Sequence, residues 1–498
     1  MQKIKLLLPT VIFAALSVMV ALWLLYAVRN VILWGSMVRA VMLILAVVAA
    51  WAILRLIPKY RGRMREALQD RRRVWRWGAV WLVLAVGLRG LALVAGHPQL
   101  RSDPAAYAAL GHDLARGAPY ELQWDWIPYP LRSSHPPGLP FLIAANYLVF
   151  GDSGAVPWLA NLEAGVLLVG GAAAVAGVIA GAEGGLVVLA VMALLPLNVI
   201  WVWGGYSEVP FGAFLFGAIA VVAAGTRSQR PVRSGLLALA GGVLLGCSSL
   251  ARPQALLCTP LLLLLALGGR TSRLVRPAAL LVGLALTLAP WAVRNYEVQG
   301  HRFVLISTNG GAVLFSANGM HGDPHLGGAY QPDNYRALVS RCHDEIECDR
   351  LGYQLGKQEI RQNWGLFLRS LVYRYDTMWS VALGPLGMVT LGPGRERILT
   401  ALLLVSYWFI PVLFLLSWRQ IYQLLRRSGA AQVMAAAYVM YMIAVIPFEV
   451  QERSHYPLLL VPLLLALVAL LCAAPTAGDP VASSTPAPEP GGPQDETA

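Results

Sequence analysis

Apolar runs of more than ~18 residues recur along the chain, and they limit what it can fold into. Hydrophobic residues make up 57% of the 498 positions and charged residues only 13%, whereas soluble domains carry roughly 25% charged residues. Lipid offers the backbone no hydrogen-bond partner, so segments that cross it are helices or strands of a closed barrel. The runs lack the strict alternation of barrel strands. The sequence therefore predicts an all-α, polytopic membrane protein with about twelve transmembrane helices.

The basic residues that give the chain a net charge of +13 lie in short clusters between the apolar runs. The segment 59–76, for example, contains eight Lys and Arg residues. Such clusters mark the cytoplasmic loops of multi-pass proteins, which predicts a location in the plasma or inner membrane. Because no basic stripe with interleaved aromatic residues occurs in a soluble segment, the charge does not indicate nucleic-acid binding.

The start of the chain is expected to form a transmembrane hairpin at 1–58. Lys3 and Lys5 precede its first apolar run, and the basic loop 59–76 follows its second, so both ends are predicted to be cytoplasmic. The first run is longer than the ~7–15 apolar residues of a signal peptide and lacks a small-residue cleavage site. It is therefore expected to remain as a span.

A first outer loop is expected at 97–156, because the span 77–96 crosses outward from the basic loop. Within it, the apolar stretch 138–150 is too short to cross the bilayer and is expected to form a helix at the interface. With that assignment, the later arginine clusters all fall on the cytoplasmic side: Arg227, Arg230 and Arg233; Arg270, Arg273 and Arg276; Arg419, Arg426 and Arg427.

The rest of the chain divides into a transmembrane module at 77–293, an outer cap loop at 294–397 and C-terminal transmembrane helices at 398–474. The tail 475–498 is rich in Pro, Ala and acidic residues, cannot bury a core, and is expected to be disordered in the cytoplasm. The later spans are expected near 157–181, 184–201, 209–225, 235–250, 253–268, 277–293, 398–418, 429–447 and 456–473.

Single ionisable residues stand at the outer ends of several spans, where charge is expensive and therefore marks functional candidates. Three arginines are predicted to bind a phosphate, since guanidinium forks match phosphate oxygens: Arg252, Arg294 and Arg453. Their alternative role is to extend toward lipid head groups. The residues expected to bind substrate beside them are Tyr107, His135, Asn295 and His455, and the same side carries Glu449 and Glu452.

Two acidic residues on this side are candidates for catalysis. Asp103 precedes Pro104, which is typical of a helix N-cap, but a carboxylate at a water–lipid boundary can also take a proton from an acceptor hydroxyl. Glu208 could cap a helix, or it could orient the acceptor or hold a divalent metal ion together with Asp103 or His455. No tight ligand spacing supports a metal, so no cofactor is assigned.

The five cysteines fall into two groups. Cys342 and Cys348 share a polar loop, and an outward-facing loop in an oxidising compartment favours a disulfide between them. In the same loop, Asp-Pro separates His321 from His325, so the two are not expected to share a helix face or a metal. The cysteines expected to be inert packing residues in apolar runs are Cys247, Cys258 and Cys472.

Six segments in order resemble the family 39-like glycosyltransferases of the GT-C superfamily, which include protein mannosyltransferases and the aminoarabinose transferases of lipid A. The resemblance covers roughly residues 77 to 473. The segments are "SDPAAYAALGHDLARG", "HPPGLPFLIAANYLVFGDS", "PLNVIWVWGGYSEVPFGAFLF", "ARPQALL", "APWAVRNYEVQGHRFVLISTNGGAVLFSANG" and "ERSHYPLLLVPLLLAL".

The resemblance implies that the chain transfers a hexosyl or pentosyl group, with inversion, from a polyprenyl-phosphate donor to an acceptor outside the cytoplasm, which is a glycan, a lipid or a protein. It makes 77–293 the catalytic module of a GT-C-like fold. The family's first-loop acidic residue falls on Asp103, and the second acidic position found in many members is Pro104 here. A later acidic residue of the family falls on Glu208, and its late arginine falls on Arg453.

Elementary chemistry agrees with this implication, and it leaves alternatives. A polyprenyl chain needs a lipid-facing groove, its phosphate needs cations, and the acceptor needs a carboxylate that faces water. A polyprenyl-dependent polysaccharide ligase or polymerase has similar needs and is the main alternative. A secondary transporter would need polar residues near mid-membrane and broken helices, whereas the charges here stand mostly at one face. A non-catalytic scaffold is the remaining possibility.

Overall fold

A computed structural model describes residues 2–33, 37–268, 273–319, 331–380, 384–448, 450–451, 453 and 455–473. Across these ranges the chain is largely helical, and the β-bridge between Leu122 and Leu131 belongs to no strand. The predicted all-α class is therefore confirmed. Some positions named above lie outside the described residues: Arg270, His321, His325, Glu449, Glu452 and the tail 475–498.

The helices before the cap follow the apolar runs. Short 3₁₀ turns at Trp201–Trp203 and Pro253–Cys258 come before α8 and α10. In chain order the helices are α1 (Gln2–Leu33), α2 (Met37–Ala67), α3 (Arg71–Gly96), α4 (Asp103–Ala115), α5 (Gly138–Phe150), α6 (Val156–Leu194), α7 (Pro196–Ile200), α8 (Glu208–Arg227), α9 (Pro231–Ala251) and α10 (Thr259–Leu267).

The segment predicted as a cap loop contains helices, and the cap is shorter than 294–397, because α11 continues to Val298 and α16 already begins at Pro393. The helices from α11 onward are α11 (Val275–Val298), α12 (Gly310–Asn318), α13 (Pro332–Val339), α14 (Glu345–Gln362), α15 (Trp364–Met378), α16 (Pro393–Leu416), α17 (Trp418–Arg427), α18 (Gly429–Val445) and α19 (Leu460–Cys472).

The predicted disulfide is present in the cap. Cys342 and Cys348 are joined, with their Cα atoms 5.3 Å apart. The bond closes the turn that leads into α14, where the carboxylate of Asp344 accepts hydrogen bonds from the backbone N–H groups of Ile346 and Glu347, at 2.9 Å each. The start of α14 is thus fixed by a covalent bond and by an N-cap.

Within the part of the chain that the structure describes, eight helices are long and apolar enough to cross a membrane, or nine if α17 and α18, which meet at 115°, form one span. The chain is therefore a multi-pass membrane protein, but the predicted number of twelve spans is not confirmed. The predicted spans 253–268 and 456–473 are represented by shorter apolar helices. One of these, α19, is buried along its length among α6, α16 and α17, as expected of a helix that is apolar all round.

Helix α6 holds two predicted spans, 157–181 and most of 184–201, and it breaks between them. Gly181 has φ +77° and ψ −170°, a conformation open to glycine. A Cβ atom added at Gly185 would lie 3.3 Å from the carbonyl oxygen of Ala173 and 3.5 Å from the Cα of Gly177. The two halves of α6 therefore pack against each other, and Gly181 forms the turn between them.

The predicted basic loop 59–76 is mostly helical, so that expectation was wrong. Helix α2 continues to Ala67 and α3 begins at Arg71, where Asp70 caps it by accepting a 2.8 Å hydrogen bond from the N–H of Arg72. Lys and Arg are good helix formers. The basic side chains therefore extend from the ends of α2 and α3 without interrupting the helical backbone.

The N-terminal hairpin packs on the C-terminal helices. Helix α1 contacts α16, α17 and α18, and α2 contacts α16 and α19. The indole of Trp23 on α1 lies 5.6 Å from that of Trp379 and 4.6 Å from the ring of Tyr407, centroid to centroid. The hairpin is therefore part of the bundle rather than an appendage.

Candidate active site

Asp103 is the first residue of α4, and it does not cap that helix. The N-cap position belongs to Ser102, whose side chain makes no capping hydrogen bond and whose φ is +54°. Pro104 follows in the first turn, where its missing N–H costs nothing. Of the two roles that the sequence left open for Asp103, the N-cap role is therefore not supported, and its carboxylate is directed to another partner.

That partner is Arg453, 350 positions later in the chain, whose Nη2 lies 2.6 Å from Oδ2 of Asp103. The Nε of Arg453 lies 3.8 Å from Oε1 of Glu208. The same Glu208 oxygen forms an ion pair with Nη1 of Arg252. Four residues that the sequence singled out separately thus form one ion cluster of two carboxylates and two guanidinium groups, defined as Asp103, Glu208, Arg252 and Arg453.

The cluster is sheltered but open on one side. The side chain of Glu208 is 3% exposed, those of Arg453 and Arg252 are 18% and 20% exposed, and that of Asp103 is 36% exposed. Glu208 is therefore the enclosed member, and Asp103 is the one that faces outward. Because Glu208 holds both arginines, it is not paired across a cavity with His455, as the sequence allowed.

Charge pairing decides the ionisation of the exposed acid. Burial opposes ionisation, but the Arg453 guanidinium outweighs it and holds the pKa of Asp103 below its usual range. Burial likewise disfavours the charge of Arg453, and Glu208 and Asp103 overcome it, so that the pKa of Arg453 is raised. Both partners are fully ionised at neutral pH.

The turn that carries Glu208 is fitted against the start of α4. Gly205 has φ +65°, and a Cβ atom there would come within 2.9 Å of Cβ of Pro104. The next residue, Tyr206, places its ring 4.4 Å from the guanidinium carbon of Arg453, within the range of a cation–π contact. Ser207 accepts a 3.3 Å hydrogen bond from the hydroxyl of Tyr107 on α4.

Tyr107 and His135 form an aromatic wall beside Asp103. Their rings meet edge to face with centroids 5.5 Å apart, and both side chains are buried. Burial raises the pKa of Tyr107 to about 12 and lowers the pKa of His135, the latter against the opposing charge of Asp103. His135 is thus neutral near Asp103. The backbone carbonyl of His135 accepts a 3.0 Å hydrogen bond from Tyr120.

The loop that carries Arg453 is fixed on both sides. After it, the ring of Tyr456 stacks on Trp201 at 3.7 Å, with an interplanar angle of 6°. Before it, the buried Arg374 donates hydrogen bonds of 2.5 and 2.6 Å to the carbonyl oxygens of Ile446 and Phe448. The loop is therefore tied to the helical core and to cap helix α15.

Two residues predicted to bind donor or substrate have other partners: the side chain of Arg294 contacts the first outer loop, and that of Asn295 contacts the start of the cap. Arg294 stacks on Trp291 at 4.7 Å and donates a 2.8 Å hydrogen bond to the carbonyl of Tyr120. Asn295 is fully buried and donates to the carbonyls of Val304 and Ile306, at 3.2 and 3.1 Å. Neither residue joins the ion cluster.

His455 is also turned away from the ion cluster. It is fully buried against the rings of Trp379 and Tyr407, and its Nε2 lies 3.3 Å from the Tyr407 hydroxyl. Burial lowers its pKa to about 3. The substrate-binding role predicted for His455 therefore lacks geometric support. Alternate directions of side chains two residues apart in an irregular loop are not visible in a sequence.

An open cavity of about 400 Å³ adjoins the site and contains Arg294. Apolar and aromatic groups dominate its lining, and Leu250 from it stands two residues before Arg252 on the same chain segment. The lining residues are Leu114, Ala118, Tyr120, Phe141, Leu250, Thr287, Pro290, Trp291 and Arg294. A cavity with such a lining is suited to the apolar chain of a ligand.

Tyr206 and Ser207 are site residues that the sequence analysis did not assign. Their signal was available, because they directly precede Glu208 in a Gly-Gly turn between apolar segments. No metal centre is evident: among the residues that the structure describes, no three His, Cys, Asp or Glu side chains converge on one point. The carboxylates of the ion cluster are paired with arginines instead.

Fold and site together define a multi-pass helical membrane protein with a paired ion cluster at one end of its bundle. No protein-family model and no curated protein sequence matches the chain. Solved structures do match it, and they include an archaeal oligosaccharyltransferase and ArnT. The apo oligosaccharyltransferase of Archaeoglobus fulgidus is 15% identical with a TM-score of 0.46, over 80% of this chain and 50% of that one.

Two further structures are similar at the same level. The Archaeoglobus fulgidus oligosaccharyltransferase AglB, in complex with an inhibitory peptide and a dolichol-phosphate, is 12% identical with a TM-score of 0.43, over 79% of this chain and 50% of that one. ArnT from Cupriavidus metallidurans, bound to undecaprenyl phosphate, is 16% identical with a TM-score of 0.36, over 79% and 77%. The chain spans about half the length of the oligosaccharyltransferase. The likeness concerns the fold, and the site is assigned from contacts within this chain.

Proposed function

We propose that the protein is a membrane glycosyltransferase that moves a sugar from a polyprenyl-phosphate donor to an acceptor outside the cytoplasm. The observation that carries this proposal is the ion cluster of Asp103, Glu208, Arg252 and Arg453, assembled from distant segments. It combines cations for a phosphate with an exposed carboxylate for an acceptor hydroxyl. An apolar cavity, proposed to hold the lipid chain, is lined in part by Tyr120, which donates a hydrogen bond to the carbonyl of His135.

Arg252 and Arg453 are the proposed phosphate ligands. Each is about one-fifth exposed and already held in place by Glu208. A guanidinium offers five N–H donors in a fixed fork, so the ion pairs of Arg252 with Glu208 and of Arg453 with Asp103 and Glu208 leave N–H donors for a further anion. Arg294, on the cavity wall, is proposed to act on the lipid rather than at the reacting phosphate.

The proposed reaction is an inverting displacement. The acceptor hydroxyl oxygen attacks the anomeric carbon as the bond from that carbon to the phosphate oxygen breaks. The hydroxyl proton passes to Asp103, and the polyprenyl phosphate leaves with the bonding electrons. Arg252 and Arg453 stabilise the negative charge that grows on the departing oxygen. Glu208 is proposed to position the arginines, and Tyr107 and His135 to flank the sugar or the acceptor.

The site is proposed to lie on the extracytoplasmic face. Glu208 begins α8 and Arg227 ends it, so the ion cluster and the basic cluster at Arg227 stand at opposite ends of a 20-residue helix. Such a helix is about 30 Å long, the thickness of the hydrocarbon core. Basic clusters favour the cytoplasm, which supports the opposite face for the site.

Asp103→Asn tests the proposed base. The amide keeps the size of the side chain but cannot accept the proton, so transfer by the purified enzyme is expected to fall on the order of 10²-fold or more while donor binding persists. Asp113→Asn on the same helix is the matched control. Mass spectrometry of lipid-linked sugars and envelope glycans in a deletion strain first identifies the donor and acceptor. Near-normal transfer by Asp103→Asn would move the base elsewhere.

A further inference from the structure

Tyr441 lies one turn before the end of α18, inside an apolar stretch that gave no sign of function. Its side chain is 2% exposed. Its ring stacks on Phe211 with centroids 5.5 Å apart and an interplanar angle of 27°. Because Phe211 follows Glu208 by three residues on α8, this stacking places Tyr441 next to the enclosed carboxylate of the ion cluster.

The hydroxyl of Tyr441 is buried and has no hydrogen-bond partner among the residues that the structure describes. A buried hydroxyl without a partner is costly and calls for an explanation. The charged groups that act on this hydroxyl are Arg252, Glu208 and Arg453, which are three of the four members of the ion cluster. A buried hydroxyl without a partner among the described residues therefore lies near the two arginines that are proposed to bind the donor phosphate.

Tyr438, three residues earlier on the same helix, shows that a buried tyrosine of α18 is not necessarily close to the ion cluster. Its side chain is fully buried, and its hydroxyl also lacks a partner in the described part of the chain. Unlike that of Tyr441, its hydroxyl shows no influence of a charged group from the described part of the chain. The two tyrosines thus lie on the same helix and are both buried, and they differ in whether the charges of the ion cluster act on their hydroxyl groups.

We propose that Tyr441 is a substrate-binding residue whose hydroxyl donates a hydrogen bond to a phosphate oxygen of the lipid-linked donor. The inference rests on the proposed function and extends it to a residue outside the ion cluster. An anion drawn in by Arg252 and Arg453 supplies the acceptor that Tyr441 lacks. Hydrogen bonds to an ionised acceptor are the strong ones, and the sheltered site strengthens them further.

Tyr441→Phe is a clean test, because it removes one oxygen that has no protein partner and should leave packing intact. Purified wild-type and variant proteins are titrated with undecaprenyl phosphate and, separately, with phosphate-free undecaprenol, and binding is measured by native mass spectrometry. We expect Tyr441→Phe to weaken binding of the phosphate lipid about tenfold, the range for a hydrogen bond to a charged group. Binding of undecaprenol should not change.

The matched variants separate the possible results. Tyr438→Phe should bind undecaprenyl phosphate as the wild type does, and an equal loss in that variant would make the effect one of packing and overturn the proposal. Arg453→Gln should bind it weakly. If Arg453→Gln loses affinity and Tyr441→Phe does not, the role of Tyr441 is wrong while the proposed donor stands. If the wild type does not prefer the phosphate lipid to undecaprenol, both proposals fail.

Discussion

Glu208 is the residue on which the charge balance of the site depends. One of its oxygens contacts both Arg252 and Arg453, and its side chain is 3% exposed. Within the described ranges, the ion-pair partner of Asp103 is Arg453. Without Glu208, Arg252 would therefore be a sheltered cation with no carboxylate partner in the ion cluster, next to a second cation.

We predict that Glu208→Gln destabilises the protein and that a phosphate lipid partly reverses the loss. Removal of one partner from a buried ion pair costs about 3–5 kcal/mol, because the remaining charge is uncompensated. Ligand binding to the folded state returns stability by mass action. Thermal unfolding in detergent, with and without undecaprenyl phosphate, measures both effects, and Glu163→Gln on α6 is the control. An unchanged midpoint for Glu208→Gln would contradict the assigned role.

Sequence reasoning found the members of the ion cluster but not their partners. Asp103, Glu208, Arg252 and Arg453 stood out because a lone charge at the end of an apolar segment is conspicuous. The pair of Asp103 and Arg453 was not visible, since 350 positions separate the two residues.

The positions of two side chains could not be predicted from the sequence, for physical reasons. His455 was expected in the site because it stands two residues after Arg453, yet the two side chains point in different directions. Tyr441 was not expected at all, because a tyrosine within "AAAYVMYMIAV" fits the apolar pattern of a buried helix. Both facts depend on side-chain direction, which composition and spacing do not encode.

At the scale of elements, the site depends on a close fit between the turn 204–207 and the start of α4. Gly205 has a positive φ, and a Cβ atom added there would lie 2.9 Å from Cβ of Pro104. The missing side chain therefore lets the turn that carries Glu208 lie close to the start of α4. Gly117, after α4, also has a positive φ, +71°, but a Cβ atom there would meet nothing within 4 Å. Alanine substitutions at the two glycines therefore separate the cost of backbone strain, which both share, from the cost of a steric contact with Pro104, which arises only at Gly205.

We predict that Gly205→Ala reduces sugar transfer about tenfold or more, because the added methyl group pushes the Glu208 turn away from α4 and small misplacements of reacting groups are costly. Gly117→Ala has the same strain in its backbone but no contact to make. Transfer rates of the two purified variants, measured at equal folded protein, provide the comparison. Equal rates would show that the fit between Gly205 and Pro104 does not position the site.

Helix count shows what hydropathy can and cannot predict. Long runs such as α8 and α9 were located to within a few residues, since ~20 apolar residues have few alternatives. The break at Gly181 inside α6 also falls between two predicted spans, 157–181 and 184–201. The 13-residue length of α19 was harder to predict, because a short helix that is surrounded by others needs no lipid-spanning length. Whether other helices surround a short apolar helix decides how long it is, and the sequence alone does not show this.

At the scale of the whole molecule, the fold brings the two ends of the sequence together. The N-terminal hairpin α1–α2 packs on α16 to α19, and Arg29 on α1 pairs with Asp376 on α15 of the cap. The hairpin lies outside the segment that resembles GT-C glycosyltransferases, yet it supports the helices that precede and follow the Arg453 loop. Its contribution to the site is thus through the stability of that part of the bundle.

The last prediction concerns the orientation of the molecule in the membrane. The short connections at 68 and 230, and helix α17 near 423, lie among Lys and Arg residues, which favour the cytoplasm. Tyr120 in the first outer loop contacts His135, which belongs to the aromatic wall beside Asp103. The cap near 340 carries the disulfide, which favours an oxidising compartment. Reporter fusions at 68, 230 and 423 should therefore report cytoplasm, and fusions at 120 and 340 should report the outside. A cytoplasmic signal at 120 would place the ion cluster on the wrong face for an acceptor outside the cell and would overturn the proposed site.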